Sequence, residues 1–325
     1  MTSLCTQYWE VMLAQGICVG LGSGCLFIPS VAILPQYFTT KKAFANGIAA
    51  SGSSLGERFY NCFKVLGIFA HFRLGGIIYP IVFQRLAPRI GFGWATRVLG
   101  FLALALSAIS LSLMQVRVLP KEKRALLELA AFREPPFTLF TIGLFFSFMG
   151  LYTPIFYIQT YAIQERIMDT NLAFYILPIL NAASIFGRVV PNFFADKTGP
   201  LNMLIPCALI AAVLVFCWIG IKDTPGLMIF AVLYGFFSGT FVSLPPTTLI
   251  SLSPRLRVVG TRMGMSFAFS ALGLLVGTPV SGAILNAAGQ FLGPQLLAGG
   301  TILAAAGFMI AARLYKVGGK LTVKA

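Results

Sequence analysis

Long apolar runs, separated by short polar and basic loops, recur along the whole chain. They occupy residues 9–34, 43–84, 93–116, 136–160, 171–194, 202–221, 225–250, 261–286 and 291–313. A helix needs about 20 apolar residues to cross the hydrocarbon core of a bilayer. Because backbone groups in lipid must hydrogen bond within their own segment, runs of this length form helices there. The pattern predicts an all-α integral membrane protein with about nine transmembrane helices.

Composition and charge support this prediction. Of the 325 residues, 58% are hydrophobic and only 10% are charged, against about 25% charged in soluble domains. The net charge of +15 comes from cations in the loops. Because these cations form no basic stripe on a soluble domain, we expect no nucleic-acid binding. Alternate loops and the C-terminal tail hold 15 of these cations and the other loops hold 5. This bias predicts a cytoplasmic C-terminus.

The second apolar run is interrupted by charged residues. Residues 57–75, ERFYNCFKVLGIFAHFRLG, place five acidic or basic side chains where the run predicts lipid, namely Glu57, Arg58, Lys64, His71 and Arg73. A charge at the bilayer centre costs about 2.5–3.5 kcal/mol on insertion scales. Without this segment the run is an ordinary span, AFANGIAASGSSLGGIIYPIVF. Our hypothesis is a retained intron, and the alternative is a genuine re-entrant or extramembrane loop. A transcript that lacks or keeps these codons decides between them.

An internal repeat links the first apolar run to the seventh. GLGSGCLFIP at residues 20–29 and GFFSGTFVSLP at residues 235–245 share a Gly, then Ser-Gly three and four positions later, then a Pro. The second and eighth runs share a nine-residue glycine spacing. Equivalence six helices apart predicts two six-helix halves, an arrangement typical of secondary transporters.

The segment YFTTKKAFANGIAASG, residues 37–52, resembles a signature of the monocarboxylate-porter branch of the major facilitator superfamily. That signature is roughly Y-F-x-K-[RK]-[RL]-x-L-A-x-G-x-A-x-A-G. The matching residues are Tyr37, Phe38, Lys41, Ala45, Gly47, Ala49 and Gly52, and Lys42 keeps the charge of its position. The departures are Thr40, Phe44 and Ser51. We interpret these residues as structural, because the basic pair marks the cytoplasmic leaflet and small residues allow close helix packing.

Residues 187–199, GRVVPNFFADKTG, resemble the G-R-x-x-x-G-x-x-A-D loop of the same superfamily. Asn192 replaces its usual small residue, which predicts looser packing. Arg188 is a charge deep within an apolar run, and such a charge points to function. The resemblance implies that Arg188 meets a substrate carboxylate, which its two parallel donors fit. The alternative is a gate in which Arg188 pairs with Asp196 or a helix C-terminus. The aspartate that the family often has one turn earlier is Ser184 here.

Other polar residues on the fourth and seventh runs are candidates for lining a substrate cavity. They are Tyr152, Tyr157, Gln159, Tyr234 and Ser238. The alternative role of each is hydrogen bonding between helices. The sequence has one histidine and no motif of a serine hydrolase, P-loop or zinc protease, so we expect no enzyme activity, cofactor or metal site. The six cysteines form no CxxC pair, and we interpret them as small apolar fillers.

The chain resembles fungal members of the branch along nearly its whole length. This resemblance implies the major-facilitator fold of twelve helices, of which this sequence would carry about nine. Residues 1–116 would be the last three helices of the first half, residues 117–134 a cytoplasmic linker, and residues 135–325 the six-helix second half. We expect the linker to form a solvated surface helix.

The function that the resemblance implies is secondary active transport of a small organic solute by alternating access. The expected substrate is a monocarboxylate-like anion, a proton is a candidate coupling ion, and the expected location is the plasma membrane. Two alternatives stay open. One is an exporter of a fungal secondary metabolite, and the other is a truncated membrane protein without transport activity.

Overall fold

The described part of the chain is built from α-helices. A computed structural model describes residues 2–5, 7–38, 40–51, 82, 83, 85–105, 108, 112, 127–255 and 257–318. The helices are α1 (Tyr8–Val11), α2 (Val19–Tyr37), α3 (Lys42–Ser51), α4 (85–105), α5 (Pro135–Gln164), α6 (Thr170–Thr198), α7 (Pro200–Trp218), α8 (Thr224–Leu252), α9 (Val259–Ala288) and α10 (Leu292–Val317). A π-helical stretch, Met12–Cys18, joins α1 to α2. The all-α membrane fold predicted from the sequence is confirmed.

Local sequence signals account for several helix ends. Proline stands in the first turn of α5, α7 and α8, where its missing N–H leaves no hydrogen bond unmade. Asp223 caps α8, and its Oδ2 accepts a hydrogen bond of 2.8 Å from the Gly226 N–H. Gly289 ends α9 with a φ of +65°, a left-handed conformation that glycine adopts without strain.

Seven helices in the described residues are long and apolar enough to cross a membrane. They correspond to the first predicted span and to the last six. The second predicted span is described only over α3 and at residues 82 and 83. Residues 57–75, with the intron hypothesis, lie outside the described residues. The third begins earlier than predicted, since α4 is already helical at residue 85 and includes Arg85 and Arg89.

The helices α5–α10 pack as one bundle, in which α5 lies against α9 and α10, α6 against α8, and α7 against α8 and α10. Glycines allow the closest of these approaches. A Cβ added to Gly187 of α6 would collide with the carbonyl of Phe236 in α8, and one added to Gly239 of α8 would collide with the carbonyl of Ser184. In α9, Gly273 packs in the same way against the Phe145 carbonyl of α5. Small residues at these seams are typical of membrane helices.

The first helices meet the bundle along two lines. The short helix α3 lies against α6 and α8, whereas α2 lies against α9, where the rings of Phe27 and Phe267 meet edge to face at 5.7 Å. In α8 the repeated glycine Gly235 packs against the Leu180 carbonyl, but its equivalent Gly20 in α2 has no described atom within 4 Å of an added Cβ. The contact of α3 with α6 and α8 includes two of the polar residues predicted to function, Arg188 and Asp196.

Candidate functional site

Asp196, near the C-terminal end of α6, caps the first turn of α3. Its Oδ1 accepts a hydrogen bond of 2.9 Å from the Ala43 N–H, and its Oδ2 accepts one of 2.9 Å from the Phe44 N–H. A helix N-terminus leaves its first N–H groups unpaired and carries a partial positive charge. A carboxylate from another helix satisfies both needs. The acidic residue of the 187–199 motif thus joins α6 to α3.

Arg188 holds α3 at a second point. Its side chain is 4% exposed, and its Nη1 donates a hydrogen bond of 3.3 Å to the Ala50 carbonyl in the last described turn of α3. Asp196 stands eight residues further along α6, or ~12 Å at 1.5 Å per residue. The two charged side chains therefore bind α3 separately, one at its start and one seven residues later. We call this pair of contacts the α3 clamp.

A buried cluster of polar side chains fills the contact between the two points of the clamp. Asn46 of α3 donates through Nδ2 to the Ser243 carbonyl of α8 and, at 3.4 Å, to the Thr247 Oγ1. Asn192 of α6 donates through Nδ2 to the Ser243 Oγ at 2.7 Å. Ser243 therefore receives one amide from α3 and one from α6. We call Asn46, Asn192, Ser243 and Thr247 the polar junction.

The prediction that Asn192 loosens the packing of this motif is wrong. Asn192 is fully buried, and Gly47 of α3 lies directly against it: an added Cβ would be 2.7 Å from the Asn192 Cβ and would collide with the Arg188 carbonyl. Glycine on the partner helix leaves the room that a larger residue on α6 occupies. The signature glycine and the substituted asparagine are thus two sides of one contact.

The remaining signature residues lie around the start of α3. Lys41 and Phe38 precede the helix, with Lys41 exposed and Phe38 half-buried, and Lys42 is its half-buried first residue. Tyr37 ends α2. Gly52 lies outside the described residues. Since Ala43, Ala45 and Ala49 are buried, the small residues of the signature form the face of α3 that packs.

Two predicted serines bond within their own helices. Ser184 donates to the Asn181 carbonyl at 3.0 Å, and Ser238 donates to the Gly235 carbonyl at 3.1 Å. Both side chains are buried at the seam of α6 and α8. Ser184 stands one turn before Arg188, and its hydroxyl does not titrate near neutral pH, so this position offers no proton acceptor of the kind a carboxylate would supply.

The predicted tyrosines connect helices. Tyr234 is fully buried in α8, and its hydroxyl donates to the Leu151 carbonyl of α5 at 2.7 Å. The hydroxyl of Tyr157 donates to the Thr278 carbonyl of α9 at 3.2 Å. These contacts fit the role of hydrogen bonding between helices. Tyr152 is half-buried and stacks with Phe156, whose ring centroid is 6.0 Å away, and Gln159 is half-buried in the last turns of α5.

One charged cluster around a buried arginine was not foreseen from the sequence. Arg262, near the start of the eighth apolar run, belongs to the first turn of α9 and is 1% exposed. Its guanidinium donates to both oxygens of Glu128, at 3.0 and 3.1 Å, and to both oxygens of Glu134, at 2.8 and 2.6 Å. The described end of the linker, including the 3₁₀ turn Leu129–Arg133 with buried Ala131, is thereby held on the bundle. Five of the eight residues 127–134 are exposed, and this part of the linker forms a 3₁₀ turn and not an α-helix.

This cluster predicts a pH dependence of stability. Hydrogen bonds from Arg262 hold the pKa of Glu134 below its ordinary 4.5. A lowered pKa adds stability above the unfolded value, and that stability is lost as the pH falls through the folded value. We expect the melting temperature of the detergent-solubilised protein to fall more for wild type than for Glu134→Gln between about pH 6 and pH 3.5. The difference should be modest, because the Glu134 side chain is 44% exposed and water screens the pair.

The matched control is Glu165→Gln, which breaks the exposed pair between Glu165 and Lys222 at 3.1 Å. Surface pairs contribute little to stability, so its curve should run parallel to the wild-type curve. Parallel curves for Glu134→Gln as well would show that the contact with Arg262 does not contribute.

The described residues place no group of three His, Cys, Asp or Glu side chains where it could hold a metal ion. The observed contacts of this region are hydrogen bonds between helices, made by two charged side chains and several neutral amides and hydroxyls.

Comparison with known proteins identifies the family to which the chain belongs. No protein-family model matches the chain. The chain is 34% identical over 329 residues to "MFS transporter asaE" of Aspergillus flavus, in an alignment that covers all of this chain and 70% of that protein. The chain belongs to the major facilitator superfamily. It is 44% identical over 286 residues to "MFS-type transporter dbaD" of Emericella nidulans, over 88% of this chain and 60% of that protein.

A third relative is the "Aspyridones efflux protein apdF" of Emericella nidulans, 37% identical over 304 residues, which cover 93% of this chain and 58% of that protein. The chain thus spans about 60% of the length of dbaD and apdF. The relatives carry the names of transporters, in agreement with the expectation of a non-enzyme. They identify fungal transporters of the superfamily, and the monocarboxylate-porter branch stays a prediction.

Comparison with solved structures identifies the same superfamily fold. The crystal structure of the superfamily transporter FucP in its outward conformation aligns with a TM-score of 0.58 at 17% identity, over 97% of this chain and 92% of that chain. This likeness confirms the predicted major-facilitator fold. The chain is a multi-pass membrane protein, and small-molecule transport is the activity of the family to which it belongs.

Proposed function

We propose that the chain moves a small organic solute across the membrane by alternating access, with the α3 clamp as part of its gate. The observation that carries this proposal is the contact of α3 with α6 and α8, where two charged side chains and a pair of amides join helices far apart in sequence. Hydrogen bonds of this kind are readily exchanged for bonds to water. Because water can replace these hydrogen bonds, separating α3 from α6 and α8 costs less free energy than leaving an unpaired charge in lipid would.

In this proposal, residues 1–116 and 135–325 are the two units that rock against each other, joined by the linker 117–134. Alternating access in such transporters is largely rigid-body motion of one half against the other. The start of α3 and the end of α6 lie at the same side of the bilayer, which the distribution of Lys and Arg predicts to be cytoplasmic. The described state would then be closed on the cytoplasmic side, with the C-terminus also cytoplasmic and the plasma membrane as the proposed location.

For the substrate, we propose an organic secondary metabolite that is exported. Support comes from the name of apdF, an aspyridones efflux protein that aligns over 93% of this chain. A monocarboxylate-like anion is the second candidate, supported by the signature at residues 37–52 and by Arg188. The contact of Arg188 with the Ala50 carbonyl favours the gate over a direct contact with a substrate carboxylate. We assign no proton coupling to this face of α6, because Ser184 stands where a titratable partner would be needed.

Transport by yeast vesicles that contain the full 325-residue chain tests this proposal. We expect aspyridone export above that of empty vesicles and, if the second candidate is right instead, movement of labelled lactate. Arg188→Lys should slow every transported probe by a similar factor, roughly tenfold, because lysine lacks the planar fork of arginine and the gate serves all substrates. A loss confined to lactate would assign Arg188 to the carboxylate, and movement of neither probe by correctly inserted protein would contradict both candidate substrates.

A further inference from the structure

Asn192 carries, at the centre of the polar junction, an acceptor that no described residue pairs with. Its Nδ2 donates to the Arg188 carbonyl at 2.6 Å and to the Ser243 Oγ at 2.7 Å. Its Oδ1 is buried and receives no hydrogen bond from any residue that the structure describes. Reversing the amide would not repair this, because an oxygen in the place of Nδ2 would face the Arg188 carbonyl oxygen, which has no hydrogen to donate.

The helix that covers this amide is α3. A Cβ added to Gly47 would lie 2.7 Å from the Asn192 Cβ and 2.9 Å from its Cγ, so the backbone of α3 lies in contact with the asparagine side chain. Resting on the proposed function, in which α3 separates from α6, the same amide becomes accessible to water when the gate opens. Water then supplies the hydrogen bond that Oδ1 lacks in the closed state.

We infer that Asn192 is a positioning residue of the gate, whose unpaired Oδ1 destabilises the closed state and so keeps closed and open states close to balance. A buried acceptor without a partner raises the free energy of the state that buries it. The two bonds from Nδ2 do not offset this difference. Their acceptors belong to α6 and α8, which pack on each other in the same bundle, so these bonds are present in both states.

The hydrogen bonds of Asn46 differ from those of Asn192 in the helices that they join. Asn46 bonds from α3 to the Ser243 carbonyl and the Thr247 Oγ1 of α8, so its bonds exist only while the gate is closed. The two amides of the polar junction therefore act in opposite directions. Asn46 stabilises the closed state, and Asn192 limits that stability.

Labelling of a reporter cysteine measures the balance. Thr247 is 6% exposed in the polar junction, so Thr247→Cys reacts with N-ethylmaleimide only when α3 withdraws. The background is the full chain in vesicles with its six native cysteines replaced by serine. Asn192→Leu keeps the branched shape of the side chain and removes the acceptor. We expect the labelling rate to fall roughly fivefold or more, the factor that about 1 kcal/mol gives.

Ser147→Ala is the matched control. The Ser147 Oγ is also buried without a partner among the described residues, but it belongs to α5, which lies against α9 and α10. Its loss affects both states equally, so the labelling rate should not change. Asn192→Val, a smaller apolar side chain, should act like Asn192→Leu and serves where leucine prevents folding.

Two results would overturn the inference. Labelling rates of Asn192→Leu and Asn192→Val equal to that of the parent would show that Oδ1 does not bias the gate, while the gate itself would stand. A reporter that stays unlabelled in every variant, including Asp196→Ala with the clamp released, would contradict the gate and, with it, this inference.

Discussion

Gly187→Ala is expected to destabilise the bundle strongly, although it adds a single methyl group. The added Cβ would collide with the Phe236 carbonyl and would lie 2.6 Å from its carbonyl carbon and 2.9 Å from its Cα. All three atoms belong to the backbone of α8, so no side-chain rotation relieves the collision. Forcing extra volume into a packed interior costs about 1–3 kcal/mol or more, and α6 and α8 would have to move apart.

The same shift would break a hydrogen bond across the seam. The Thr240 Oγ1 donates to the Gly187 carbonyl at 3.0 Å, and a separation of the two helices lengthens this bond. We expect a loss of several degrees in the melting temperature of the solubilised protein, followed by tryptophan fluorescence, and lower yield of folded protein.

Gly300→Ala provides the control. Gly300 lies in α10, and an added Cβ there meets no atom within 4 Å. Alanine is the better helix former by about 1 kcal/mol in a helix interior, so this variant should keep or slightly raise the melting temperature. Equal melting temperatures for the two variants would contradict the view that the seam of α6 and α8 is closed by glycine.

The fold could be predicted from the sequence because apolar length is an additive property. Each span needs only enough apolar residues in a row, and six of the nine predicted spans recur as the helices α5–α10. Helix ends were less predictable. Arg262 stands in a sequence of loop-like composition, SPRLRVVGTR, yet it lies in the first turn of α9 because two carboxylates from the linker bind it there. The signal for that site was the pair of glutamates at positions 128 and 134, whose partner only the fold reveals.

For the candidate site, the sequence singled out residues but did not indicate their contacts. Arg188 and Asp196 were singled out because charge at a membrane helix is rarely accidental. Their partners are backbone groups of α3, namely the N–H groups of Ala43 and Phe44 and the carbonyl of Ala50. Every residue has such groups, so no residue type in the sequence marks them. The same holds for Tyr157 and Tyr234, whose hydroxyls bond to carbonyls of neighbouring helices.

Asp196→Ala is expected to release the start of α3. The substitution removes the acceptors of the Ala43 and Phe44 N–H groups at one stroke. Loss of a helix N-cap costs about 0.5–2 kcal/mol, and the carboxylate also loses its attraction to the positive end of the helix dipole. Lys41, which is exposed, and Lys42 lie at this start. Trypsin should therefore cleave after them roughly fivefold faster in the variant, since 1 kcal/mol of local stability changes the open fraction by about this factor.

The control for this last prediction is Asp223→Ala, which removes a cap of similar kind from α8, where the Asp223 Oδ2 accepts from the Gly226 N–H at 2.8 Å. That cap belongs to the opposite end of the bundle, so cleavage at Lys41 and Lys42 should not change. Asp196→Asn keeps one amide oxygen and should give an intermediate rate. If Asp196→Ala were cleaved no faster than wild type, the packing of α3 and its hydrogen bonds through Arg188 and Asn46 would be enough to hold it. If it is cleaved faster and also labels faster at Thr247→Cys, the carboxylate that steadies the helix is also what keeps the gate closed.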